Sequence, residues 1–244
     1  MTGEEGVQLE ALLGKMVWYR RGFLVAAALT LLFYTILIPF YLYSAWVQYV
    51  VVKTGATAMT AINGRLIAIV MLWAPPIEDI LILLRLLALV FWLSWLWSAA
   101  RFAWTLEPEK RLHFYPVATL ILWFVPVINV IAMPLALNDI ARTVMREPQP
   151  ASDAAPLTMP GKADMLWLSG AIGLLHGASD ALFFYLAKVP ISDFQDPLKG
   201  LNLTHAAAGI GVVTLLMLLA MDAYIRKLTL AQEIRLARRH LSGE

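Results

Sequence analysis

The sequence predicts an all-α fold: a polytopic membrane helical bundle of four full spans plus a proline-broken segment that is re-entrant or a fifth span. Three observations carry this. The 244-residue chain is 60% hydrophobic with a mean hydropathy of +0.71, more apolar than a soluble domain can bury. Four predominantly apolar stretches are each long enough to cross a bilayer. Between Phe114 and Ile140 a further apolar stretch is interrupted by Pro116, Pro126 and Pro134, with Asn129 between the last two.

In order along the chain, Leu9, Leu12, Leu13, Met16 and Val17 follow a helical period ahead of Arg20 and Arg21, which predicts a short amphipathic segment over residues 1–21 lying on the membrane surface. The run 22–50 carries no charge and is read as a retained first span with a kink at Pro39. Lys53 to Ala74 mixes Thr, Gly, Asn63 and Arg65 with an apolar stretch, Leu66 to Trp73, too short to cross and ended by Pro75 and Pro76. It is expected to pack at the interface. Residues 77–104 make the second span, with Arg85 inside it and Trp92, Trp95, Trp97 and Trp104 towards its far end, a pattern expected of an interfacial aromatic belt. Spans three and four cover 165–187 and 205–225, so the membrane domain is 22–225. Glu147 to Lys162, rich in Pro and Ala, reads as a linker. The tail 226–244 puts Leu230, Ile234, Ala237 and Leu241 on one face and Arg226, Lys227, Arg235, Arg238 and Arg239 around the rest, as expected of a helix lying on anionic lipid.

Positive residues decide the place of the broken segment, because cytoplasmic flanks hold their excess when loops are short. With Arg85 set aside, a crossing at 114–140 divides Lys and Arg eight against ten, whereas no crossing divides them fourteen against four. The biased division predicts four spans, both termini cytoplasmic, and a segment that enters and leaves from the cytoplasmic side. Tyr115 to Phe124 and Val127 to Ala136 are each half-length, reaching about 15 Å as helices. The turn at Pro126 then leaves backbone groups that Asn129, with one acceptor and two donors, is suited to pair. A kinked fifth span is the competing reading, and an interfacial hairpin a third.

Several kinds of chemistry have no footing in these residues. The chain holds no cysteine, hence no disulfide, thiolate nucleophile or cysteine metal site. Its net charge of +2 gives no general basic surface for nucleic acid. Gly209 to Thr214 contains G-x-G but lies in an apolar span with no preceding strand, and no zinc, nucleophile-elbow or phosphate-loop motif is present. No catalytic residue, metal site or cofactor is expected. Asp193 and Asp196 read as solvated, and Asp222 as a structural partner of Arg101.

Ionisable residues inside spans are costly and need a partner or a hydrated cavity. Arg85 and Asp180 sit at matched depth, roughly 10 to 12 Å below the outer boundary, and His176 precedes Asp180 by one helical turn. The three form a candidate polar cluster, either a structural ion pair with a bonded histidine or a proton-transfer or ligand site. Gly173, Gly177 and Ala181 form a small-residue ridge, repeated by Ala207 and Gly211 on the last span, and the two ridges are expected to pack together. Two functions follow from this. One is an accessory, structural or assembly subunit acting through helix packing and contacts with membrane lipids, a larger membrane complex or a second copy; the other is a small-solute or proton-coupled transporter using Arg85, His176 and Asp180 beside the broken helix.

The run Trp123, Phe124, Val125, Pro126, Val127, Ile128, Asn129, with Pro134 following, resembles the W-F-x-P-x-x-N signature of a bacterial membrane-protein family catalogued as domain of unknown function 4328. Trp95, Leu96, Trp97 and Arg101 resemble its aromatic and basic helix end, and Arg226, Lys227, Leu228, Thr229 and Gln232 its closing R-R-[IL]-T-x-x-Q. The resemblance covers roughly Trp92 to Gln232, with Phe102 where an Asn is common and without the usual aromatic and basic residues after Asn129. It implies a bacterial inner membrane and the same architecture, and no chemistry.

Overall fold

The structure, a computed structural model, describes residues 3–54, 64–106, 112–125, 128–146, 160–189 and 197–242. These form helices α1 (Gly3–Thr54), α2 (Gly64–Leu106), α3 (Pro116–Ile121), α4 (Asn129–Val144), α5 (Lys162–Ala187) and α6 (Pro197–Ser242), with a 3₁₀ turn Leu122–Phe124 extending α3. Four stretches are long and apolar enough to cross a membrane: Glu5–Thr54, Pro76–Leu106, Lys162–Ala187 and Leu201–Arg238. Their number is the one expected, and each contains one of the four spans read from the sequence. Long apolar sequence becomes helix in such a setting because each backbone N–H and C=O must find its partner within the segment.

The boundaries are wider than the sequence suggested. Residues 3–21 are not a separate element; α1 runs unbroken through them and through Pro39. Leu66 to Trp73 is likewise no separate interface segment but the first turns of α2, which continues through Pro75 and Pro76. Proline costs a helix one donor and crowds the carbonyl four residues back. An apolar chain has no better alternative than helix for the residues on either side, so the element persists. The tail is the last part of α6 and not a distinct domain. The linker falls largely on residues 147–159, outside the described residues, as does Pro126.

The chain divides into two compact units, one of Met1–Val25, Ala88–Gly177 and Met217–Glu244, the other of Ala26–Leu87 and Ala178–Leu216. In the second, Tyr34, Leu37 and Leu81 form a buried core flanked by Phe33, Ile38, Tyr41, Ile77 and Leu215, and Tyr41 hydrogen-bonds Glu78. Gly211 allows this packing: a Cβ there would lie 3.0 Å from the Tyr34 ring and 3.1 Å from Ile38.

In the first unit the broken segment folds back on itself. Helix α3 and its 3₁₀ turn end at Val125, which is extended (φ −95°, ψ 102°), and the chain re-enters helix at Asn129, whose N–H donates to the Val125 carbonyl at 3.0 Å. The second limb is longer than expected, reaching Val144, because Asn129, Met133, Ala136, Leu137, Ile140, Ala141 and Val144 continue one buried stripe past Pro134. Its far end meets the start of the first limb: the His113 N–H donates to Asp139 Oδ2 at 2.7 Å and His113 Nδ1 lies 3.1 Å from Oδ1. One carboxylate thus holds together two points separated by 26 residues.

Candidate functional site

The end of the first limb sits in an aromatic nest. Trp123 stacks on His176 of α5 with ring centroids 4.5 Å apart, and His176 Nε2 lies 3.2 Å from the Trp123 carbonyl. A carbonyl only accepts, so Nε2 carries the hydrogen. Trp92 of α2 packs on Trp123 at 5.6 Å and stacks with Trp95 at 5.5 Å. Tyr224 of α6 presents its ring to both and donates its hydroxyl to the Leu137 carbonyl at 2.6 Å. Phe23 of α1 closes the set against Trp92 at 6.2 Å. Trp92, Trp95 and Tyr224 are fully buried, so Trp92 and Trp95 belong to a core and not to the expected interfacial belt, while Trp97 and Trp104 are half-buried. Tryptophan spacing alone does not separate a belt from a core, because both need an amphipathic ring beside apolar neighbours.

A glycine face seats the second limb. A Cβ at Gly173 would overlap the Pro134 ring and come within 3.0 Å of the Val130 carbonyl, and one at Gly177 would lie 2.5 Å from Val130 Cγ2. Val130 is the residue four before Pro134, so its carbonyl loses its helical donor. The glycines let α5 close against that carbonyl. The nearest neighbours of the small residues differ along the ridges: Gly173 and Gly177 receive α4, Gly211 receives α1, and Ala181 is exposed. Ala207 is half-buried, and Gly209 meets Leu182 at 3.6 Å.

Of the candidate polar cluster, His176 belongs to the first unit and Arg85 and Asp180 to the second. The contact the structure gives Arg85 is the Tyr34 ring, with the guanidinium carbon 4.8 Å from its centroid, a cation–π pairing that compensates a half-buried charge. Its Nε has no hydrogen-bond partner among the described residues. Asp222 pairs with Arg226 on its own helix at 2.7 Å, while Arg101 lies over Trp97 at 5.8 Å; the expected Asp222–Arg101 pair is not formed. Asp193 and Asp196 lie outside the described residues.

The last part of α6 is packed on one side. Leu228, Thr229, Ala231, Gln232, Ile234, Arg235 and Leu236 are buried while Leu230 and Ala237, expected on the lipid face, are exposed. Lys227 pairs with Asp164, and the Arg235 guanidinium donates to the Arg146 carbonyl. Arg238 is half-buried, and the Arg239 side chain is outside the described residues. The packed side mixes Leu228, Ala231, Ile234 and Leu236 with the polar Thr229, Gln232 and Arg235.

Sequence reasoning missed the His113–Asp139 clasp, the Tyr224 bond and the His176–Trp123 stack. The first had a readable signal: two ionisable residues flanking an apolar broken segment are natural partners once its ends must meet. Among the described residues no group of three or more His, Cys, Asp or Glu could hold a metal ion. Compared with family models, curated proteins and solved structures, the chain matches none.

Proposed function

We propose that this chain is a multi-pass protein of a bacterial inner membrane, both ends cytoplasmic, that works as a structural, accessory or assembly subunit through helix packing and contacts with lipid or protein. The observation that carries the reading is how His176 is used. Its ring stacks on Trp123 and its Nε2–H donates to the Trp123 carbonyl, so the histidine of the candidate cluster helps to anchor the end of the first limb. Apolar side chains left exposed on the hairpin, Val117, Ile121, Phe124, Ile128, Ile131 and Leu135, suit lipid or a partner helix.

The same proposal takes 114–140 as re-entrant. The His113–Asp139 clasp supports it, since a crossing would separate these residues by about 30 Å. It also includes the resemblance to domain of unknown function 4328, whose Trp123 and Asn129 stand at the facing ends of the two limbs and whose Thr229 and Gln232 lie on the buried side of α6, in one unit.

Two experiments test it. In a chain without cysteine, single cysteines replacing Thr158 and Gly200 are exposed to an impermeant thiol reagent on intact cells; labelling at 200 and protection at 158 is expected, and the reverse removes the re-entrant topology. Co-purification in mild detergent is then compared for native protein, His176→Phe and Asp180→Asn. Loss of retained partners or of stability supports the subunit reading, whereas intact assembly with lost solute or proton flux supports transport.

A further inference from the structure

In the first unit, two polar side chains on the buried side of α6 are satisfied by nothing described. Thr229 is 1% exposed and its Oγ1 has no hydrogen-bond partner among the described residues; Gln232 is 0% exposed and neither end of its amide has one. They are three residues apart and so share a helix face. Asp222 lies two turns before Thr229 on the same stripe, with Oδ2 held by Arg226 and Oδ1 without a partner among the described residues.

Thr229 had a simple escape that it does not take. Elsewhere in this chain helical hydroxyls bond back to the carbonyl four residues earlier, as Thr30, Thr35, Ser98, Thr105, Thr143 and Ser169 do. The corresponding bond from Thr229 to Ile225 is not made. A buried hydroxyl not bonded to its own helix, beside an amide with neither end bonded to protein, leaves both groups needing the partners that buried polar groups have, in protein or in enclosed water.

We infer that Thr229 and Gln232 line an internal site for a small neutral molecule that both donates and accepts hydrogen bonds, either water or a solute bearing a hydroxyl or amide. Both side chains are neutral and each offers a donor and an acceptor. The carboxylate on the stripe is already paired by Arg226, so the site matches a neutral molecule rather than an ion. The inference does not depend on the subunit reading.

Because the chain has no cysteine, single substitutions report access cleanly. Full-length Thr229→Cys and Ala231→Cys, both positions at most 1% exposed, are treated in detergent with methyl methanethiosulfonate, a small neutral reagent. An occupied polar site exchanges with solvent, so Thr229→Cys should react roughly tenfold faster or more than Ala231→Cys, as thiol reactivity follows access. Equal rates overturn the inference. Gln232→Leu and Thr229→Val give an independent reading through melting temperature. Removing an amide or hydroxyl from an occupied site strands its partners and lowers the melting temperature; removing it from a dry core raises it, and that result also overturns the inference. Mass spectrometry of an organic extract of the purified protein separates the two sources: a stoichiometric solute assigns a solute site, and none assigns water.

Discussion

Replacing Gly173 by Ala tests how the broken segment is held. The added methyl would overlap the Pro134 ring and lie 3.0 Å from the Val130 carbonyl. Carbon contacts are comfortable from about 3.5 Å, so α4 and α5 must part by on the order of 1 Å. Neither obstacle can swing aside, one being a ring fixed to the backbone and the other the backbone itself. Overpacking costs about 1–3 kcal/mol, and this rigid contact belongs in the upper half of that range. At about 2 kcal/mol the melting temperature of the detergent-solubilised protein falls by about 4–8 °C. Gly177→Ala meets one methyl of Val130 at 2.5 Å, and a β-branched side chain yields little, so its cost is nearer 1 kcal/mol. Gly170→Ala, on the same helix with nothing within 4 Å of the new methyl, should be neutral or stabilising by up to about 1 kcal/mol.

The decisive variant is the double one. Pro134→Ala removes the ring and restores an N–H for the Val130 carbonyl, so it should relieve most of the Gly173→Ala cost. Contacting residues show coupling of about 0.5–3 kcal/mol in such cycles, against about 0.3–0.5 kcal/mol of scatter for independent sites. Additivity within that scatter, or equal melting of Gly173→Ala and Gly170→Ala, would refute the seating of α4 on the glycine face.

Tyr224→Phe keeps the ring against Trp92 and Trp95 but deletes the bond to the Leu137 carbonyl; a loss of about 0.5–1.5 kcal/mol in thermal denaturation is expected, with unchanged tryptophan fluorescence. Paired His113→Cys and Asp139→Cys should form a disulfide under mild oxidant in an otherwise cysteine-free chain, read as a gel-mobility shift that reductant reverses; no cross-link would deny the closed hairpin. Arg235→Met should lower the melting temperature while leaving binding to anionic vesicles unchanged, because this guanidinium is turned to the Arg146 carbonyl; weakened vesicle binding with unchanged melting would restore the lipid-facing tail.

The four long helices were legible because composition and length decide them, and bilayer-length apolar sequence has one backbone solution. Their ends were not legible. Residues 3–21, 66–73 and 226–242 all belong to longer helices, and in the last of these Thr229, Gln232 and Arg235 are buried, which no local apolar pattern reports. The hairpin was legible through prolines and half-length limbs, yet the length of its second limb depended on a stripe continuing past Pro134. At the site, Gly173 and Gly177 announced a close approach through their spacing, but a missing Cβ says nothing about what fills the space. Arg85, His176 and Asp180 were singled out by cost alone, and cost identifies residues that need partners without naming them: Tyr34 and Trp123 are 51 and 53 residues away in sequence.

The partners share a physical cause. A helix broken twice leaves carbonyls without intrahelical donors, at the end of the first limb, at the residue four before Pro134 and beyond the last turn of the second. The structure brings something to each. His176 bonds the Trp123 carbonyl, Gly173 lets α5 close on the Val130 carbonyl, and Arg235 bonds the Arg146 carbonyl, while Tyr224 adds a bond to Leu137 between them. All these groups come from α5 and α6. An apolar environment makes each such contact worth more, because the alternative is an unpaired carbonyl and not a hydrated one. His176, Tyr224 and Arg235 thus act alike, as side-chain donors to backbone carbonyls of the broken segment and the residues just after it.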